Sequence, residues 1–320
     1  MVRSFENRLA WILRVLASDF RYASSIGLDK TETVECPRQG RIPRHEIDYW
    51  NENGESTVWV NVPELTAETV IRAYWGFKPG KEPLARPISE AWADYAGVWH
   101  FSEEGGIVHD SSGNRYHSAN DGGGTVSNVN AKVGLARTAN GTAFLTGVTD
   151  LTSASATKRI SRVESFSISG WMLSTATIGS SQYPAMMLKG EWTKNGWYAC
   201  FESSPTKFNG VGTGATKTIV TLPTSVYNNW AYLTVVFNGT SCSVYEDGAL
   251  VQTYAINQVS NSSYALRLAN ALTGRIDEFR IQNGVQSATY IEADYATLTD
   301  PGFLTYGQPR ITAPTILIVQ

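Results

Sequence analysis

The stretch SFSISGWML, residues 165–173, decides the fold class of this chain. Phe166 and Ile168 alternate with serines, and this period of two is typical of a β-strand with one buried and one solvated face. Asp247-Gly248 stands between apolar residues further along and favours a tight type I′ hairpin turn. Similar short runs recur from Tyr95 onward, and a single helix, SATYIEADYAT, follows them. The pattern predicts an all-β fold built as a β-sandwich.

Length and composition limit the range of functions. The chain has 320 residues, 42% hydrophobic and 17% charged, which suits a globular protein of about two domains. The formal net charge is −3 without a large basic block, so nucleic acid is not expected as a partner. No stretch reaches the roughly 18 apolar residues of a membrane span, and no clear signal peptide is recognisable.

The first part of the chain differs from the rest. TVWVNVP (57–63) and TVIRAYWG (69–76) read as strands, while Leu9, Ile12, Leu13 and Leu16 fall at helical spacing. We therefore expect a partial N-terminal β-domain over residues 1–80, with a leading helix. A proline-rich linker at 81–94, the sandwich at 95–300 and a C-terminal extension at 301–320 complete the expected order.

The segment HDSSGNRYH, residues 109–117, has two interpretations. Gly113 and Asn114 suit left-handed turn geometry, and Asp110 can capture nearby backbone amides, which makes a plain turn. Carboxylate and carbonyl oxygens are also the ligands of hard cations, so the same residues could form a calcium loop. The residues alone leave both alternatives open.

Five landmarks in the second part of the chain occur together and in a characteristic order. They are AGVWHFSEEGG (96–106), DSSGN (110–114), SFSISGWML (165–173), VYEDGALV (244–251) and GRIDEFRIQNGVQSATYIEADY (274–295). Over residues 94–298 they resemble LamG-like domains of the concanavalin A-like lectin/glucanase superfamily. The resemblance implies a jelly-roll β-sandwich. Residues 45–80 resemble the end of an uncharacterised bacterial β-domain family that is often fused upstream of LamG-like domains.

The resemblance also implies a possible metal site. Some members of this superfamily carry a structural Ca²⁺ near the DSSGN loop. In such sandwiches the first and last strands are usually neighbours, so Asp277 of RIDEF is expected to approach Asp110. On this basis the expected Ca²⁺ ligands are Asp110 and Asp277, with Asn114 as a further candidate.

Exposed aromatic residues indicate where a ligand could bind. Tyr183 and Trp192 lie among turn-like residues, and aromatic faces stack on sugar rings. Ordinary loop packing would explain the same two residues. Cys200 and Cys242 fall in strand-like runs and are either two buried thiols or a disulfide.

Catalysis has little support in the sequence. Laminarinase-type glucanases use two glutamates within a short acidic motif, and EIDYWNE offers Glu46, Asp48 and Glu52. Glu52 comes one residue too late, and the motif lies outside the sandwich. We therefore do not expect an enzyme. The resemblance implies a non-catalytic recognition module, extracellular or on the bacterial cell surface, that binds glycan or polysaccharide. A structural or adhesive module of a larger surface protein or fibre is the alternative, and a glycoside hydrolase is third.

Overall fold

The structure is a computed structural model of the full chain. It describes residues 9–16, 33–35, 44–49, 55–62, 69–75, 88–124, 126–127, 131–146, 165–190, 196–212, 217–256, 259, 262, 264–305 and 315–319. The chain forms two compact units, one from residues 1–93 and 296–320 and the other from residues 94–295.

Nearly all regular structure in the described residues is β, which confirms the all-β prediction. The elements in chain order are β1 (Leu9–Leu16), β2 (Thr33–Glu35), β3 (His45–Tyr49), β4 (Glu55–Val62), β5 (Ile71–Trp75), a 3₁₀ turn (Ile88–Glu90), β6 (Tyr95–Trp99), β7 (Val126–Ser127), β8 (Ala136–Asn140), β9 (Phe144–Thr146), β10 (Phe166–Ser174), β11 (Ala185–Gly190), β12 (Gly196–Phe201), β13 (Lys207–Gly212), β14 (Val220–Thr221), β15 (Ala231–Phe237), β16 (Ser241–Glu246), β17 (Ala249–Ala255), β18 (Leu266–Leu268), β19 (Thr273–Asn283), α1 (Ala288–Thr299) and β20 (Thr315–Val319).

The second unit is a sandwich of two antiparallel sheets. The larger sheet has the order β17-β16-β15-β10-β19-β8-β7, and β6 pairs with the second half of β19. The smaller sheet has the order β14-β13-β12-β11-β18-β9. The pairing of β6 with β19 confirms that the first and last strands of the sandwich are neighbours.

The core lies between the two sheets. The solvated face predicted for SFSISGWML was wrong, because Ser167 and Trp171 on the other side of the strand are buried as well. Phe166 and Ile168 of β10 are buried, and the Phe166 ring lies 4.9 Å from the ring of Trp197 on the opposite sheet. Asp247 and Gly248 have φ values of 52° and 81°, as a type I′ hairpin turn requires. Gly170 is needed for packing, because a Cβ atom there would lie 2.3 Å from Cδ1 of Phe279.

One helix covers part of the outer face of the larger sheet. The Ser287 hydroxyl accepts a hydrogen bond from the Tyr290 amide at 3.2 Å, so Ser287 caps the N-terminus of α1. Tyr295 packs against Trp171 with ring centroids 5.9 Å apart. This face is therefore buried although it lies outside the main core.

Cys200 and Cys242 are free thiols and do not form a disulfide. Cys242 lies in the main core between the sheets, whereas Cys200 belongs to a separate small cluster with Leu188 and Tyr198. Burial raises the pKa of Cys242 to about 12, so this thiol stays protonated at neutral pH. The buried-thiol interpretation is the correct one.

The first unit contains two small sheets, and here one prediction was wrong. Residues 9–16 form strand β1, which pairs with β4 from Leu9↔Val62 to Leu16↔Glu55, and no leading helix occupies these positions. The run LAWILRVL is apolar enough for either structure, and the adjacent strand edge of β4 offered a partner that helical spacing does not reveal. The second sheet has the order β2-β5-β20, in which β20 pairs with β5 from Thr315↔Trp75 to Val319↔Ile71. Residues 81–87 of the predicted linker lie outside the described residues, and its second half begins with the 3₁₀ turn Ile88–Glu90.

Candidate functional site

The DSSGN segment forms a turn that is held by the Asp110 carboxylate. Its Oδ1 accepts hydrogen bonds from the backbone amides of Val98 and Ser112, each at 2.8 Å. Its Oδ2 accepts from the Ser112 hydroxyl and from the Tyr116 amide, also at 2.8 Å. Burial raises the pKa of Asp110, and the amides of Val98, Ser112 and Tyr116 oppose that rise. The carboxylate therefore fastens the turn to strand β6.

Asn114 and Asp277 each form hydrogen bonds with the backbone of other residues. The Asn114 carboxamide donates to the carbonyl of Ala96 at 2.9 Å. Asp277 Oδ2 accepts from the backbone amides of Lys132 and Val133, at 2.9 and 2.8 Å. Asp110 and Asp277 are thus each occupied by amides from a different part of the chain.

The Asp110 carboxylate has no acceptor position left for a calcium ion. Ca²⁺ takes six to eight oxygen ligands with open lone pairs, and a carboxylate offers about four acceptor positions. Four protein donors already occupy the positions of Asp110. A cation at this turn would have to displace hydrogen bonds that hold the turn in place. The plain-turn interpretation of DSSGN accounts for the geometry.

His117 lies beside this turn and contributes to it. Its Nδ1 atom accepts a 2.9 Å hydrogen bond from the Asp110 backbone amide, so neutral His117 carries its proton on Nε2. The ring of His109 lies 5.0 Å away, centroid to centroid. Burial, and after it the neighbouring His109, lowers the pKa of His117. The neutral ring is therefore the form that fits the structure.

A groove in the second unit contains one of the two predicted sugar-contacting residues. The groove has a volume of about 340 Å³ and is walled by the segment 174–184, which joins β10 to β11, and by residues 270–273, which join β18 to β19. We call it the Tyr183 groove. Tyr183 is 36% exposed, and the polar side chains around it are those of Ser174, Thr177, Ser181, Gln182, Asn270 and Thr273. Trp192 lies outside the described residues.

The walls of the Tyr183 groove are fixed by hydrogen bonds to the backbone. Gln182 Oε1 accepts from the Gly179 amide at 2.8 Å, and the Thr175 amide donates across the groove to the carbonyl of Thr273 at 2.9 Å. The Asn270 carbonyl accepts from the amide of Ala185 at 2.8 Å. The last two bonds join the two walls directly, so the groove is preformed.

The backbone of the groove is strained at several positions. Ser181, Ala269 and Ala271 have φ values of 64°, 52° and 58°, which non-glycine residues adopt uncommonly. Such strain costs on the order of 1–3 kcal/mol per residue and is concentrated at binding and catalytic sites in proteins. These strained positions lie in or next to the two segments that wall the groove.

The described residues that line the Tyr183 groove carry no carboxylate, imidazole, charged or thiol side chain. None of these residues is Asp, Glu, His, Lys, Arg or Cys. Retaining hydrolysis of a glycoside needs two carboxyl groups about 5 Å apart that face the substrate. Beside the groove, Lys217 and Glu202 form an ion pair with each other, and Lys217 Nζ lies 6.0 Å from the Tyr183 ring centroid.

Buried carboxylates elsewhere in this unit are committed to a structural network. Arg280, which is 1% exposed, donates to Asp294 at 3.1 Å and lies 3.5 Å from Glu278. Tyr232 donates its hydroxyl to Asp294 at 2.5 Å. Arg280 and Asp294 line a small cavity together with residues of α1, and their opposite charges compensate one another there.

The structure describes Glu46 and Asp48 of the acidic motif in the first unit. Glu46 is buried and accepts a hydrogen bond from the indole of Trp92, and Glu52 lies outside the described residues. The carboxylate of Glu46 is thus engaged in packing within the first unit.

Comparisons with known proteins include one family match within the sandwich. The family model for the concanavalin A-like lectin/glucanases superfamily matches residues 146–292. The resemblance seen in the five landmarks is thereby confirmed. The upstream resemblance at 45–80 stays a prediction. No curated protein matches the chain.

The solved structures that match the chain include toxin binding domains. The binding domain of Paraclostridial Mosquitocidal Protein 1 has 12% identity and a TM-score of 0.49, over 67% of this chain and 53% of that one. The botulinum neurotoxin DC binding domain in complex with rat synaptotagmin II has 13% identity and a TM-score of 0.47, over 65% and 52%. This chain spans about half the length of these structures. No helix among the described residues is long and apolar enough to cross a membrane.

Several lining residues of the Tyr183 groove could not be identified from the sequence. Thr177, Ser181, Asn270 and Thr273 lie in ordinary polar turns, and about 90 residues separate the two walls. The turn residues around SSQYP indicated a loop at the first segment, whereas residues 270–273 carried no comparable signal. The pairing of β11 with β18 brings those loops together.

Proposed function

We propose that this protein is a non-catalytic recognition module that binds glycan or polysaccharide in the Tyr183 groove. The observation that supports this proposal is the composition of the groove, which combines one half-exposed tyrosine with hydroxyl and carboxamide side chains. Its volume of about 340 Å³ lies at the lower end of the range usual for small-molecule sites.

The chemistry of the groove suits a sugar ring. A pyranose has apolar C–H faces that stack on an aromatic ring, and hydroxyl groups around its rim that both donate and accept hydrogen bonds. Tyr183 supplies the aromatic surface. Thr177, Ser181 and Asn270 supply groups that can act as donor and acceptor toward hydroxyls.

The proposal includes the absence of catalysis and a location on or outside a bacterial cell. The first part is supported by the lack of carboxylates among the described lining residues, because glycoside hydrolysis requires a facing pair of them. The second part follows the resemblance to modules of the superfamily and the suggestion of a bacterial upstream domain. Fold alone does not determine a ligand, so the site residues must be tested directly.

The experiment is a glycan-array screen followed by titration calorimetry with the Tyr183→Ala variant. Tyr227→Ala is the matched control, because Tyr227 is 37% exposed and does not line the groove. We expect Tyr183→Ala to weaken binding about tenfold or more, as the loss of one stacking aromatic would, and Tyr227→Ala to bind as the wild type does. Equal binding by all three proteins would exclude the Tyr183 groove. Failure of the wild type to bind any glycan on a broad array would favour the structural or adhesive role.

A further inference from the structure

Resting on the proposed glycan site, we propose that the Tyr183 groove selects uncharged sugars and that the Asn270 carboxamide determines this selectivity. Two independent features of the groove support the inference. One is its charge, and the other is the position of Asn270 on a strained turn.

The groove carries no net charge with which to bind an anionic ligand. All of its described lining side chains are apolar, hydroxyl-bearing or amide-bearing. The charges beside Tyr183 are those of Lys217 and Glu202, and they neutralise each other. A sugar carboxylate or sulfate that entered the groove would lose water without gaining a cation, which is costly. A neutral sugar has no ionised group whose hydration must be lost on entering the groove.

The turn that carries Asn270 is held in a single conformation. Ala269 and Ala271, on either side of it, both have positive φ. The Ala269 amide donates to the carbonyl of Met186 at 3.0 Å, and the Leu272 amide donates to the carbonyl of Ala269 at 3.2 Å. Together with the bond from Ala185 to the Asn270 carbonyl, these interactions fix the backbone from which the side chain projects. A fixed backbone lowers the entropic cost of ordering that side chain on a ligand.

The Asn270 carboxamide is available to a ligand. Within the described part of the chain it makes no hydrogen bond to another residue, whereas Gln182 already uses its Oε1 atom to accept from Gly179. A carboxamide presents one acceptor oxygen and one donor NH₂ group side by side. Two neighbouring hydroxyls of a sugar can satisfy both at once. Asn270 therefore provides the directional contact and Tyr183 the apolar one.

The test uses Asn270→Asp, which keeps the shape of the side chain but replaces the donor with a negative charge. Asn228→Asp is the matched control, because Asn228 is exposed, has a φ of 58° and does not line the groove. The probes are the strongest neutral glycan from the array and a sialylated or uronic-acid derivative of it, titrated at low and high NaCl.

We expect the wild type to prefer the neutral glycan, with an affinity that salt does not change. Asn270→Asp should weaken that binding about tenfold or more, because one hydrogen bond is lost and a negative charge is placed in the groove. Asn228→Asp should bind as the wild type does. Thermal unfolding of both variants should match the wild type, which separates a binding effect from misfolding.

The outcomes distinguish this inference from the proposed function. Preference for acidic glycans, with binding that weakens in salt and is lost in Tyr183→Ala, would overturn the charge selectivity and leave the glycan site standing. Wild-type affinity in Asn270→Asp would overturn the role of Asn270. Absence of any glycan binding, or full binding by Tyr183→Ala, would overturn both proposals.

Discussion

The backbone amide of Val98 donates a 2.8 Å hydrogen bond to Oδ1 of Asp110, which joins the first strand of the sandwich to the turn that follows it. This bond is one of four that converge on a carboxylate only 3% exposed. Buried acceptors that lose a matching donor are expensive, so this contact is a sensitive point of the fold.

Replacing Asp110 with asparagine should destabilise the protein. The amide nitrogen of the introduced side chain would face backbone N–H groups and could not accept from them, so we expect a loss of about 2–4 kcal/mol in the free energy of unfolding. Urea denaturation measures this loss. Asp121→Asn is the control, because Asp121 is exposed and its carboxylate accepts from the amide of Gly123. Equal stability of the two variants would contradict the role given to Asp110.

Calcium should have no effect on the stability of this protein. A bound ion would raise the melting temperature by mass action, and the acceptor positions of Asp110 are filled by protein donors instead. We expect the same thermal unfolding curve in millimolar CaCl₂ and in EDTA. A melting temperature that rises with calcium, and does so less in Asp277→Asn, would restore the calcium site.

Acidification should weaken the DSSGN turn through His117. The groups around its ring are His109, Asp110, Arg115 and Glu103, and the pKa of His117 is lowered chiefly by burial. The unfolded chain therefore binds a proton more readily than the folded one, so this residue's contribution to stability is lost as pH falls below about 6.5. Protonated Nδ1 can no longer accept from the Asp110 amide.

The His117→Asn variant isolates this effect, because its Oδ1 atom replaces Nδ1 as acceptor and does not titrate. We expect the two proteins to have similar free energies of unfolding at pH 8 and the wild type to become relatively less stable toward pH 5. Parallel stability curves over this range, measured by urea denaturation, would refute the mechanism.

Lys189 should reduce stability at neutral pH. Its ammonium group donates to the Tyr264 carbonyl, the residue is 3% exposed, and burial lowers its pKa to about 8. The folded state disfavours the charged form, so the penalty is present below pH 8 and disappears as pH rises toward the unfolded value of about 10.4. Lys189→Met should therefore stabilise the protein at pH 7 by about 1–3 kcal/mol.

The pH dependence separates this effect from a gain in packing alone. The advantage of Lys189→Met over the wild type should shrink between pH 8 and pH 10, and Lys207→Met, at an exposed strand position, should show no advantage. A constant difference across that range, seen in denaturation curves, would show that charge burial is not the cause.

Features that depend on neighbouring residues could be predicted from the sequence. The alternation in SFSISGWML defined the buried face of β10, and Asp247-Gly248 defined a hairpin turn, because both depend on backbone geometry within a few residues. Residues 9–16 were the exception. An apolar octapeptide suits a helix or a strand, and the adjacent β4 decided between them.

The candidate site depended on contacts between distant residues. The sequence identified Tyr183 as a candidate ligand contact and DSSGN as either a turn or a cation loop. The tertiary structure decided that Val98 and Tyr116 donate to Asp110, and that Asn270 lies across the groove from Tyr183. Local sequence determined the strands and turns, because their preferences are set by adjacent residues. Only sheet pairing over about 90 residues determined which polar side chains share one groove.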